Sequence, residues 1–174
     1  MNRRYRSPRE RALRCASVRE YTPTRASQTP ESRDTSRVNE SQRGVAIVVW
    51  RRSRTVEVLL LHRSVFGADF EGDWAWTTPG GERRTGERPR DAAERELSEE
   101  TGLALALEPT TSEIAPAGEH HLAVYVAEAP HDAEVRLSDE HDRFEWVRRE
   151  ELSRCLPAWV GAMYANVLDG LDPM

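Results

Sequence analysis

Apolar residues are sparse over the first 42 positions and begin to cluster at regular spacings only from Gly44 onward. Val45-Ala46-Ile47-Val48-Val49-Trp50 is a short, β-branched apolar run of the kind found in a strand buried on both faces. Val56 to Leu61 predicts a second strand, and Arg51-Arg52-Ser53-Arg54 the polar turn between the two. A loop containing glycine and aspartate runs from Ser64 to Asp73. Trp74 to Thr78 then reads as a short extended piece, ended by Pro79-Gly80-Gly81. Pro89 to Thr101 predicts a helix, with proline near its first turn and Gly102 in the C′ position. Leu103 to Leu107, His120 to Ala127 and Arg143 to Val147 are further strand candidates, and Arg148 to Leu156 a short helix. The last predicted helix starts with Pro157 and stops at Gly170. Trp159, Val160, Met163, Tyr164, Val167 and Leu168 form a stripe at helical spacing on it, expected to pack in the core. These strands and helices, from Gly44 onward, make up the candidate folded domain.

The 174-residue chain has room for one such domain and a substantial core. Residues 1–42 are rich in Arg, Ser, Thr and Pro and cannot bury enough surface to offset their ordering entropy, so they predict a disordered basic arm ahead of a domain at 43–174. The net charge of −5 conceals this division. Residues 1–43 hold 11 Arg against five acids, and the remainder 14 Arg against 25 acids. A basic arm on an acidic body is one route to nucleic-acid binding. This arm lacks aromatic interleaving beyond Tyr5 and Tyr21, so a solvated tail is the simpler reading and nucleic acid is not the expected partner. No run approaches the length of a membrane span, the first residues lead into no apolar stretch, and Cys15 and Cys155 stand far apart. A reduced, cytoplasmic protein is expected.

The chemistry is concentrated on the helix that starts at Pro89. Glu96, Glu99 and Glu100 stand at i, i+3 and i+4, so three carboxylates share one face within about a turn. Like charges so close repel one another and destabilise an isolated helix. Arg95 can relieve part of this through Glu99, and a solvated acidic face is the plain alternative. Ala93 and Leu97, however, give the helix an opposite, apolar side with which to dock, so the carboxylates are held toward a shared volume. Hard oxygen ligands clustered in this way suit Mg²⁺ or Mn²⁺. Just upstream, Thr78-Pro79-Gly80-Gly81 ends a strand where glycine lets the backbone approach something closely.

Gly81, five residues, Glu87, seven residues, then Arg95-Glu96-Leu97-Ser98-Glu99-Glu100-Thr101-Gly102-Leu103 matches the Nudix box at every defined position. The chain from about Arg43 onward therefore resembles the Nudix hydrolases, which implies an α/β/α sandwich around a mixed sheet. The resemblance implies divalent-cation ligands at Glu96, Glu99 and Glu100, with the Gly80 carbonyl as a further one. It implies that Arg95 and Glu87 orient and brace those ligands. Glu140, in Asp139-Glu140-His141, resembles an acidic ligand that some members recruit from outside the box, and Arg63 resembles an arginine that touches substrate phosphates. The implied reaction is in-line attack of water on a phosphoanhydride, with Glu96, Glu100 or Glu140 taking the proton.

The identity of the substrate is less legible. Trp74, Trp76 and Phe66 could stack on a base or belong to the core, and His120 and His121 make no zinc site by themselves. Arg63, Trp74, Gly80 and Gly81 are the expected substrate-binding positions, and a small-molecule phosphoanhydride is the expected partner, with a homodimer left open. Dinucleoside-polyphosphate members commonly carry Lys after the proline of the pre-box loop, where this chain has Gly80. The proline that marks ADP-ribose members is likewise out of place, Pro116 standing too near the box. Two other classes compete: a catalytically silent Nudix-fold nucleotide sensor, and a Nudix-fold isomerase of an isoprenoid diphosphate. The intact box weighs against the first, and the distance of Cys155 from the box against the second.

Overall fold

A computed structural model of the chain describes residues 42–114 and 121–169. The arm expected at 1–42 lies outside them but for Gln42, as do His120 and Gly170. The apolar run around Val48 forms the middle of β1 (Gln42–Arg52), and Val45 to Trp50 are all buried, as a strand covered on both faces requires. After a turn at Ser53–Thr55 the chain returns as β2 (Val56–Arg63), then continues through a 3₁₀ turn (Ser64–Phe66), β3 (Trp76–Thr77) and β4 (Gly80–Glu82) to α1 (Pro89–Thr101). Beyond α1 come β5 (Glu108–Ile114), β6 (His121–Glu128) and β7 (His141–Arg148). A 3₁₀ turn (Arg149–Glu151), the single turn α2 (Leu152–Cys155) and α3 (Ala158–Asp169) complete the described chain.

The seven strands make one mixed sheet. β1 runs parallel to β6, and every other pairing is antiparallel. β1 and β2 pair only near their shared turn, through Trp50–Val58, Arg51–Glu57 and Arg52–Val56. Farther along they part: β4 takes the freed edge of β1 at Gly44–Ala46, and β3 pairs with β2 at Leu61–His62. This parting of the two central strands creates the opening in which the glutamate helix and the glycine turn meet.

Each face of the sheet is covered by helix, giving the α/β/α sandwich. On one face Val48, Val58 and Leu60 pack with Leu152, Leu156, Val160, Tyr164 and Leu168 from α2 and α3. On the other, Ile47, Val49, Leu59 and Leu61 pack with Ala92, Ala93 and Leu97 of α1. Among the described residues no helix is long and apolar enough to cross a membrane.

Four expectations need correction. Leu103 to Leu107 is not a strand: Leu103 and Leu107 are buried against the α1 side as an irregular connection, and the sheet edge is taken by β5, beginning at Glu108. Gly80-Gly81 does not merely end an extended piece but is itself strand, paired with β1; glycine's weak β propensity hid it. Arg148 to Leu156 splits into a 3₁₀ turn and one turn of α-helix. Trp159 leaves the core stripe of α3, and is 37% exposed.

Candidate active site

The helix α1 has the predicted bounds for the predicted reasons. Pro89 opens it, and Gly102 closes it in the left-handed conformation at φ 69°, its N–H donating to the Ser98 carbonyl. Docking through Ala92, Ala93 and Leu97 fixes the helix rotation and so sorts the three glutamates. Glu100 does not stand opposite the apolar side, as expected, but lies on the Ala93–Leu97 side and is buried, whereas Glu96 is half-buried and Glu99 exposed.

Arg95 gathers the less buried acids. Its Nε and Nη2 donate to the two carboxylate oxygens of Glu87 at 2.8 and 3.0 Å, and its Nη1 donates to Glu96 at 2.7 Å and Glu99 at 3.1 Å. Nη2 also reaches the Glu82 carbonyl at 3.1 Å, tying the helix to β4. The Arg95 guanidinium and the Arg84 backbone N–H hold the Glu87 carboxyl well below the usual range, at about 2. The loop between β4 and α1 is thus cross-braced through Arg95 and Glu87.

Among the described residues Glu100 has no such partner. One carboxylate oxygen accepts from the Gly80 N–H at 2.8 Å, while the other lies 3.8 Å from Nε2 of His141, beyond hydrogen-bond distance. Burial pushes its pKa up to about 8, and the negative charges of Glu96 and Glu140 add to the effect. His141 is itself buried, which lowers its pKa, and its Nδ1 has no hydrogen-bond partner among the described residues. A buried carboxylate destabilised by neighbouring acids fits a site that takes a cation. Among the described residues, no three acidic, imidazole or thiol groups already converge at metal-ligand geometry, since Glu96 and Glu99 turn toward Arg95.

The two glycines make room at this point. Gly80 has φ 152°, and a Cβ there would meet the Val45 carbonyl oxygen at 2.2 Å. A Cβ on Gly81 would lie 2.7 Å from a Glu96 carboxylate oxygen. Glycine at 80 therefore lets β4 lie close against β1, and glycine at 81 lets that strand edge come against the Glu96 carboxylate. Glu140 is exposed on a loop stitched to α1 and to the end of β2. Ser138 N–H donates to the Glu100 carbonyl at 3.3 Å, and Ser64 N–H donates to the Glu140 carbonyl at 2.9 Å.

Beside the glycines of β4 a cleft of about 200 Å³ reaches toward α3, lined by Gly80, Gly81, Arg63, Trp74, Trp76, Leu156, Val160 and Tyr164 among others. All four expected substrate-binding positions are therefore on its wall. Trp74 is 37% exposed and stands edge-to-face with Trp159, ring centroids 6.5 Å apart, whereas Trp76 is buried. Phe66 is not part of this wall and packs on Phe70 instead. The buried Tyr164 hydroxyl lies 3.0 Å from the Thr78 hydroxyl, and burial pushes its pKa up to about 12. Sequence reasoning missed Tyr164 as a cleft residue and Trp159 as the neighbour of Trp74, because helical spacing marks both only as core. Arg83, in the connection before the helix, donates from Nε to the Glu87 carbonyl at 2.9 Å.

Residues 40–168 match the NUDIX domain family, and the chain belongs to it. It is a Nudix hydrolase. The chain is 30% identical over 143 residues to the asymmetrical bis(5′-nucleosyl)-tetraphosphatase of Rattus norvegicus, covering 74% of this chain and 92% of that protein. It is also 38% identical over 115 residues to an octanoyltransferase of Myxococcus xanthus, but spans only 29% of that protein's length. Among solved structures, the Caenorhabditis elegans Ap4A hydrolase binary complex superposes with a TM-score of 0.62 at 23% identity, covering 74% of this chain and 97% of that one. That likeness establishes the fold.

Proposed function

We propose that the protein hydrolyses a phosphoanhydride bond in a nucleoside diphosphate linked to a further group, with Mg²⁺ or Mn²⁺ as cofactor. The observation that carries this reading is Glu100: a buried carboxylate, short of positive charge, bonded to the N–H of Gly80, which itself lines a cleft that also presents Arg63 and an exposed tryptophan. Glu96, Glu99, Glu100, Glu140 and the Gly80 carbonyl would hold the cation. It would offset the charge of the polyphosphate, polarise its phosphorus–oxygen bonds and ease the ionisation of the attacking water. Arg95 and Glu87 keep the carboxylates in place through the bonds already described. Glu96, Glu100 and Glu140 are the candidates to take the proton from water as it attacks phosphorus in line with the leaving group. Arg63 contacts phosphate oxygens, and Trp74 offers a face on which a base can stack.

The rat tetraphosphatase makes a dinucleoside tetraphosphate the first substrate to try. Gly80, in place of the lysine common in that group, leaves Arg63 to supply positive charge on this wall of the cleft. Phosphate and nucleotide release should be measured with and without Mg²⁺ across dinucleoside polyphosphates, nucleotide sugars and nucleoside triphosphates. Cation-dependent turnover of at least one of them is expected. Tight binding of a nucleotide without turnover in any metal would replace the hydrolase by the silent sensor.

A further inference from the structure

The connection between β2 and β3 contributes a cleft residue at each end, Arg63 and Trp74. Trp74 occupies the third position of a β-turn closed by the Ala75 N–H donating to the Gly72 carbonyl at 3.0 Å. Its φ is 66°, in the left-handed region where glycine or asparagine is the usual occupant of that turn position. Tryptophan is therefore held at a cost, and something in the fold must hold it.

His62, the last residue of β2 before Arg63, is fully buried and edge-to-face with Trp76, centroids 5.1 Å apart. Its Nε2 lies 2.7 Å from the Phe70 carbonyl, and its Nδ1 lies 2.7 Å from Asp142 Oδ1. A carbonyl and a carboxylate oxygen both accept, so both contacts are met when each ring nitrogen donates. Three further bonds grip the same segment. Arg143 donates to the Ala68 carbonyl and, at 2.7 Å, to Glu71, and Trp76 Nε1 donates to the other Glu71 oxygen at 2.9 Å. A connection anchored at residues 68, 70 and 71 cannot relax the turn that follows it.

We propose that His62 is a positioning residue for the substrate. By clamping Phe70 between the strand end and Asp142, it fixes the connection so that Trp74 stays in its left-handed conformation at the cleft mouth, facing Trp159. The inference rests on the hydrolase reading and deepens it: the clamp sets affinity for the part of the substrate that Trp74 meets, an aromatic base, and leaves the chemistry at the glutamates alone. Neither His62 nor its partners touch the Glu96–Glu100 helix face through any of these bonds.

The test is a kinetic double-mutant cycle of His62→Phe with Trp74→Ala, run with Mg²⁺ on the best substrate of the nucleotide panel, diadenosine tetraphosphate first. His62→Phe keeps a ring in the core and removes both donors. It should raise KM about 10-fold, the scale of a lost base stack, with kcat within about threefold of wild type. The double variant should have the KM of Trp74→Ala alone, since the clamp acts through that side chain. Arg143→Gln, which loosens the same segment from a partly exposed position, should show the same split and carries the cycle if His62→Phe does not fold. Additive KM effects with Trp74→Ala, or a fall in kcat at unchanged KM, would overturn the proposal while the hydrolase reading stood. Absence of turnover by the wild-type protein on every substrate would remove both.

Discussion

Ionising Glu100 in the protein without divalent cation should cost stability, and the size of the cost follows from its surroundings. The folded-state pKa is about 8 against an ordinary 4.5, because burial and two neighbouring acids disfavour the charge. The folded protein therefore keeps a proton that the unfolded chain releases between these values. Its contribution is fully present below about pH 4.5 and is lost as pH rises through 8. A displacement of this size corresponds to about 5 kcal/mol by pH 9 as an upper bound. Glu100→Gln keeps the shape and can still accept from Gly80, but never ionises. Urea unfolding in excess EDTA, followed by tryptophan fluorescence, should find variant and wild type alike near pH 5 and the variant more stable by about 3–5 kcal/mol at pH 9. Saturating Mg²⁺ should remove most of that gap, since a cation that binds the folded form stabilises it by mass action. It should also release protons below pH 8, because a liganded carboxylate is ionised. Parallel pH profiles for the two proteins in EDTA would refute the reasoning.

Two further predictions concern the surroundings of that carboxylate. Gly81→Ala places a Cβ against the Glu96 carboxylate, a flexible side-chain end that can move aside; thermal melting should change little while kcat falls by about 10-fold or more. Unchanged kcat would show that the position of Glu96 is immaterial. Deleting residues 1–39, which precede the family match, should leave turnover within about a factor of two and melting unchanged. A large loss in either would assign the basic segment a role in the domain.

The glutamate helix was the most legible part of the chain, because proline, glycine and the apolar spacing of Ala93 and Leu97 all specify it locally. That Glu100, seven residues after Ala93, shares the docked side was missed, because the three glutamates read as one face opposite the apolar one. The two core strands were legible for a similar reason, an unbroken β-branched run having few other places to go. What escaped was set by pairing over long sequence distances. Gly80-Gly81 becomes strand only because β1 and β2 part and leave an edge open. The leucines at 103 and 107 match a strand's period, but α1 claims them. Nothing local to His62 indicates Asp142, 80 residues away, as its partner. Trp159 follows the helical stripe of α3 yet turns outward, and only the left-handed Trp74 opposite it makes that placement intelligible.

The central claim is that the glutamates of α1 hold a catalytic cation rather than form a solvated face. Turnover of Glu99→Gln and Glu100→Gln, each measured beside Glu94→Gln on the best substrate in saturating Mg²⁺, tests it most directly. Glu94 is exposed and pairs with Arg90 at 3.0 Å on the same helix, which makes it a control for charge alone. The account predicts a fall in kcat on the order of 10²–10⁴ for the first two variants and near-wild-type turnover for the third. Unimpaired turnover in both Glu99→Gln and Glu100→Gln would contradict it.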